Sequence, residues 1–421
     1  MFESPPREKQ WLSWLYVVVW ILIIFVTIPL ARAIQEFVTQ QWSRDAFTYA
    51  VVAAIVSALA AAIFYARRLR PISRSSYFWL TAIGAIFFGY TIELGKRSPE
   101  EAIHFVQYGV LGILIYRALT HRLQDTSIYF AAAIIGGVIG AIDEYIQWLT
   151  PRRVWGLGDI WLNFLSSALA QIAIAKGLQP KLIARRFSRP NLRLLCRLAI
   201  AAVLILGASL LTTPPRIAWI TEQISWLEFL KHNDSVMLEY GYFYEDPDIG
   251  VFRSRFTPQE LKQIDQRRAA EAAKILNTFQ DEYSYPTFLC LYTPISDPFV
   301  HEARVHLFRR DRYYNTAFEY EDDREEYARR LTIALRENRI MEKYFYNTLQ
   351  RSDYVWQEEK LALARRHHLS DYLYDSWVSR DLITRFSEWQ VASLFMALIL
   401  GLLLFHWYLM KIPGSRSSPE S

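Results

Sequence analysis

The apolar residues of this chain come in blocks, and those blocks constrain its fold more than any single motif. A run of roughly 18 or more apolar residues is long enough to cross the hydrocarbon core of a bilayer as a helix. About eight such runs occur, near 11–32, 46–66, 77–93, 102–119, 127–148, 159–178, 194–213 and 389–410. Residues 214–388 carry no comparable run, although the chain as a whole is 52% hydrophobic. A stretch of roughly 170 residues is long enough for one domain. The expected fold is a polytopic α-helical membrane protein of about eight transmembrane helices, with an extracytoplasmic α+β domain between helices 7 and 8. Its expected parts are two N-terminal transmembrane helices (1–76), a helical segment (77–178) and a basic loop with helix 7 (179–213). The soluble domain (214–388) and a last helix with its tail (389–421) follow.

The first run has Arg7 and Lys9 before it, as a signal peptide would. It is too long for one, and Pro29-Leu30-Ala31-Arg32 makes a poor cleavage site, so a retained helix is expected. Trp11, Trp14 and Trp20 are its expected interface anchors. Two cysteines occur, Cys196 inside the seventh run and Cys290 in the polar region. They make a poor disulfide pair and no zinc framework, so the soluble domain must fold on its own core.

Orientation follows from lysine and arginine in the short loops. Arg67, Arg68, Arg70 and Arg74 lie in the second loop, and Arg117 and Arg122 in the fourth. The sixth has Lys176, Lys181, Arg185, Arg186, Arg189 and Arg193. In the odd loops Arg32 and Arg44 are offset by Glu36 and Asp45. The expected location is the cell membrane, multi-pass, with both termini cytoplasmic and residues 214–388 outside. That places two polar clusters on the outer side: "IELGKRSPEEAIHFVQYG" and "DEYIQWLTPRRVWGLGDIWLN".

In the first cluster, Glu93 and Lys96 are neighbours at a helix end. His104 and Tyr108, four apart, share a helical face, with Gln107 beside them. In the second, Asp143 and Glu144 both neighbour Gln147. Pro151 helps end the helix, and Arg152 and Arg153 follow. Asp159 is placed to cap the next helix, with Asn163 one turn further in.

This order of residues resembles the VanZ-like family. The family pattern runs from a lysine through His-Phe-x-Glu-Tyr-x-x-Leu-Gly and Asp-Glu-x-x-Gln with a Pro-Gly-Arg to Asp-x-x-x-Asn. Here Lys96 is followed by His104-Phe105-Val106-Gln107-Tyr108 and Leu111-Gly112. Asp143-Glu144, Gln147, Pro151, Arg153, Asp159 and Asn163 come next. The likeness covers about residues 77–178. Gln107 stands where the family usually has glutamate, Arg152 where it has glycine, and Ser166 and Ala170 where glycines usually pack the last helix. The spacing of small residues survives, so close helix packing is expected. The resemblance implies an envelope setting and a link to resistance against glycopeptide antibiotics of the teicoplanin type. It implies no settled reaction.

Ionisable groups at membrane depth are costly and are functional candidates by default. The competing reading is a clamp, in which the carboxylates neutralise Lys96, Arg152, Arg153 and His104 and hold the helices together. On the functional reading, Lys96, Gln107, Tyr108, Gln147, Arg153, Asp159 and Asn163 bind a ligand. Arg153 leads them, because a guanidinium suits phosphate or carboxylate. His104, Asp143 and Glu144 are the candidate acid/base groups. No metal or cofactor is expected, since the basic residues disfavour a cation. Ser98 has no strained Gly-x-Ser-x-Gly turn to make it a nucleophile.

In the polar region "HEARVH", His301 to His306, imitates a zinc-protease motif with one residue too many, and a polar strand or loop is expected there. "TPQE" at Thr257 is a capping box with proline at the first helical position. "YPTFLCLYTP" reads as a short strand, and long amphipathic helices are expected after Asp322 and near 353–369. The function expected is binding of an anionic or lipid-linked envelope precursor in an outward-facing pocket. The alternatives are a hydrolase or transferase on a lipid-linked phosphate and a scaffold. Expected partners are membrane lipids or lipid-linked precursors, no nucleic acid, and an envelope protein at residues 214–388.

Overall fold

The structure, a computed structural model, describes residues 8–41, 73–97, 99–150, 155–232, 236–281, 283–376, 378–379 and 382–411, with a few single positions between 53 and 64. The chain divides into two compact units, residues 1–208 with 394–421, and residues 209–393.

Seven described helices are long and apolar enough to cross a membrane. They are α1 (Gln10–Gln41), α2 (Arg74–Arg97), α3 (Pro99–Leu119), α4 (Ser127–Trp148), α5 (Leu157–Ile172, running on as a π-helix to Leu178), α6 (Arg189–Leu210) and α14 (Glu388–Lys411). They match seven of the eight expected runs. The other, 46–66, lies for the most part outside the described residues.

In the first unit α3 is central. Tyr108, Leu111 and Ile115 are inaccessible to solvent and pack with Val17 and Ile24 of α1 and Ile128 and Ala131 of α4. Trp20 donates its indole N–H to the Gln107 carbonyl at 3.0 Å, which ties α1 to α3. The loop before α4 is closed by Asp125, which accepts from the Ser188 N–H at 2.7 Å and the Asn191 amide at 2.9 Å.

The second unit is mostly helical. It contains α7 (Pro214–Gln223), α8 (Pro258–Thr278), α9 (Tyr285–Leu291), α10 (Pro298–Ala317), α11 (Arg324–Tyr344), α12 (Tyr346–Gln350) and α13 (Glu358–His367). Its β structure is a small region: β1 (Glu239–Tyr240), β2 (Tyr242–Asp246), β3 (Gly250–Ser254), β4 (Asp375–Ser376) and β5 (Leu382–Ile383). β2 and β3 form an antiparallel hairpin with Tyr244 opposite Phe252, and β4 adds to β3 in parallel. Gly250 has φ 103°, and a Cβ there would stand 2.8 Å from the Tyr374 carbonyl, so the hairpin needs glycine at this point. Phe252, Phe288, Phe299, Leu307, Ile340 and Phe345 form the core.

Local chemistry explains the helix starts. The capping box is present: Glu260 N–H donates to Thr257 Oγ1 at 3.3 Å and Thr257 N–H to Glu260 Oε2 at 2.8 Å. Asp297 and Asp323 cap α10 and α11. Two expectations fail. "YPTFLCLYTP" forms helix α9, with Pro286 in its first turn and Phe288 buried. "HEARVH" lies on α10, and His301, Glu302, Arg304 and His306 are all buried.

Candidate functional site

The expected cluster depends on how closely α3, α4 and α5 approach. Small residues allow that approach. A Cβ on Gly136 would lie 2.7 Å from Ser167 Cβ, and one on Gly140 the same distance from Asn163 Cβ. In lipid, close backbone packing and interhelical hydrogen bonds replace the hydrophobic drive. Here Ser166 donates to the Phe105 carbonyl, Ser167 to the Tyr108 carbonyl at 3.0 Å and Gln171 to the Gly112 carbonyl at 2.9 Å. α5 is thereby stitched to the face of α3 that carries His104 and Tyr108.

One turn beyond Gly140, Asp143 and Glu144 are buried, at 0% and 1% exposure. Consecutive helical residues diverge by about 100°, so the two carboxylates reach different partners. Asp143 turns to α3, where its Oδ2 accepts from the Tyr108 hydroxyl at 2.9 Å and lies 4.0 Å from His104 Nδ1. Glu144 turns to the start of α5. It accepts from the Gln147 amide at 2.8 Å and from the Gly156 N–H at 3.1 Å. Asp159 folds back on Gly156 from the other side, where a Cβ would stand 3.1 Å from its Cγ. Two carboxylates therefore converge on one glycine.

This geometry corrects one expected role. Among the described residues Asp159 makes no capping hydrogen bond, and the N-cap of α5 is Gly156. Its carboxylate lies on the helix's first turn, where the dipole still favours it.

The other candidates divide as follows. His104 and Tyr108 gather on Asp143, Gln147 and Gly156 gather on Glu144, and Asn163 is buried against Gly140. Gln107 is half-buried, and its side-chain oxygen has no hydrogen-bond partner among the described residues. Lys96 instead pairs with Glu93 at 3.9 Å, and both side chains are more than half exposed. Ser98 and Pro151, Arg152 and Arg153 lie outside the described residues. Gly136, Gly140, Gly156, Ser167 and Gln171 were missed as positioning residues. The G-x-x-x-G spacing of the first two is the signal that marks them.

The second unit holds a separate buried polar centre on α10. His306 Nδ1 donates to Glu337 of α11 at 2.6 Å, and Arg309, Tyr374 and Ser376 also donate to that carboxylate. Burial alone would raise the Glu337 carboxyl, but His306, Arg309 and Tyr374 outweigh it and hold it down at about 2. Glu302 accepts the Arg255 N–H at 3.1 Å, and burial pushes its carboxyl above the ordinary range. His301 faces elsewhere, on the Tyr292 carbonyl at 2.7 Å, and burial lowers it to about 4. The five-residue spacing thus sends the two histidines to different partners. No group of three or more histidine, cysteine or acidic side chains is placed to hold a metal ion among the described residues.

No protein-family model, curated protein or solved structure matches this chain.

Proposed function

We propose that this chain is a multi-pass membrane protein of the cell envelope whose polar cluster, on the first turns of α3, the end of α4 and the start of α5, binds an anionic lipid headgroup or a lipid-linked precursor. One observation carries the reading: two consecutive carboxylates are kept buried at a helix end, each with its own set of partners. Such groups are costly at membrane depth and are kept where they serve a ligand. Arg153 and Lys96 hold the anion. The His104–Asp143–Tyr108 group orients it and supplies a proton site if chemistry follows. The VanZ-like order of residues supports an envelope role and, through it, a link to glycopeptide resistance. On this reading residues 214–388 and the cluster both face outward.

A second reading, the helix clamp, is favoured by the bonds Asp143 and Glu144 accept from Tyr108, Gln147 and Gly156 inside the cluster. Native mass spectrometry of the full chain in mild detergent separates the two, for the parent, Arg153→Ala and His104→Ala. The headgroup reading expects a co-purifying anionic lipid that Arg153→Ala loses while its melting temperature holds. An unchanged lipid profile with a large loss of stability in both variants establishes the clamp instead.

A further inference from the structure

Outside the polar cluster, the second unit has a cleft of about 470 Å³ beside α10, within the usual size range for small-molecule sites. Its lining includes Arg304, Phe308 and Arg312 of α10, Tyr354 and Trp356, and Lys360 of α13. Arg304 is the unusual member. It is 2% exposed. Its Nε donates to the Phe279 carbonyl at 3.2 Å, and its guanidinium carbon lies 4.8 Å from the Tyr285 ring centre and 5.8 Å from that of Tyr354. Beyond these it makes no hydrogen bond or ion pair among the described residues.

Arg310, six residues on, shows what a structural arginine looks like in the same place. It binds both oxygens of Asp311, at 2.7 and 3.2 Å, the Asn338 side chain at 3.1 Å and the Tyr354 carbonyl at 2.8 Å. A buried charge is ordinarily paired and hydrogen-bonded in this way. Arg304 has aromatic faces in place of a counter-ion, and its two terminal nitrogens have no acceptor among the described residues. The carboxylates that line the cleft are committed elsewhere. Asp311 serves Arg310, Asp353 accepts from Gln280 at 2.9 Å, and Asp281 accepts from the Ser284 N–H at 2.8 Å. Four basic side chains line the cleft against three acidic ones, and two of the four, Arg312 and Lys360, are exposed.

We propose that this cleft is an anion site, in which the guanidinium of Arg304 binds the phosphate or carboxylate group of a small organic molecule. A guanidinium with its terminal N–H groups open matches two oxygens of either group. Arg312 and Lys360 draw the anion to the entrance, and the remaining volume holds the body that carries it. The site is independent of the membrane cluster and of its proposed ligand.

The test uses the full chain in detergent and three probes: glucose 6-phosphate, glucuronate and glucose. Binding is read by calorimetry and by the shift in melting temperature. The expected result is binding of at least one of the two anions and none of glucose. Which anion binds identifies the group as phosphate ester or carboxylate. Arg304→Met keeps the apolar stem between its rings and removes the charge. It is expected to weaken binding by about tenfold or more, while the melting temperature without ligand holds or rises, because an unpaired buried charge has been removed. The proposal is overturned if neither anion binds the parent, or if Arg304→Met binds as the parent does. It is equally overturned if Arg304→Met lowers the unliganded melting temperature, which would make Arg304 a structural residue.

Discussion

Glu337 is inaccessible to solvent yet accepts hydrogen bonds from His306, Arg309, Tyr374 and Ser376. Truncating it leaves all four donors without their acceptor, so Glu337→Ala is expected to cost roughly 3–5 kcal/mol in the second unit. Chemical denaturation of the full chain measures this. The pH dependence follows from the lowered carboxyl. Its value in the fold, about 2, lies below the ordinary 4.5. The stability it contributes is therefore complete above about pH 4.5 and is lost as pH falls towards 2, on the order of 3 kcal/mol in all. Glu302, raised by burial, acts with the opposite sign. The informative quantity is thus the parent's acid curve minus that of Glu337→Gln, which should fall across that window. A flat difference would remove Glu337 from the acid response. Little of this was legible in the sequence. In stretches so rich in charge, Glu302, Arg304, His306, Arg310 and Glu337 look like solvated positions. Only the fold reveals that all five are buried, His306 and Arg310 of α10 against Glu337 and Asn338 of α11. The pair Asp143-Glu144 was legible, because two carboxylates inside an apolar run have no bland solvated reading.

At the scale of elements, the contact between α4 and α5 rests on glycines. Gly140 faces Asn163 so closely that a Cβ would lie 2.7 Å from the asparagine's own. Gly140→Val adds three carbons where there is no room for one. Overpacking of this kind typically costs 1–3 kcal/mol, and here it would also part Glu144 from the Gly156 N–H. A lower melting temperature together with loss of any lipid bound at the cluster is expected. Gly158→Ala is the control, because a Cβ there meets nothing within 4 Å. Equal effects from both would show that the seam is not tight. Spans of this kind are legible because hydropathy alone sets them. The short elements of the second unit are not. "YPTFLCLYTP" has strand composition, yet Pro286 suits the first turn of a helix, and burial of Phe288 decides for that helix.

The whole molecule is legible as alternating apolar spans and a polar unit, and the sidedness proposed for it rests on charge. Arginine and lysine crowd the second, fourth and sixth loops, and Lys411 and Arg416 follow the last span. On the proposed orientation these residues stay on the cytoplasmic side, and residues 214–388 lie outside. The chain carries its own reporter for this. Cys290 is exposed in the second unit, whereas Cys196 is buried in α6. A membrane-impermeant maleimide should therefore label the parent in intact cells, and Cys290→Ser should abolish that label. Labelling that appears only after the membrane is permeabilised would invert the orientation. Inversion would also move the His104–Asp143–Glu144 cluster to the cytoplasmic side. An envelope precursor displayed outside would then be out of its reach, while the Arg304 cleft would remain, open to cytoplasmic phosphate esters instead.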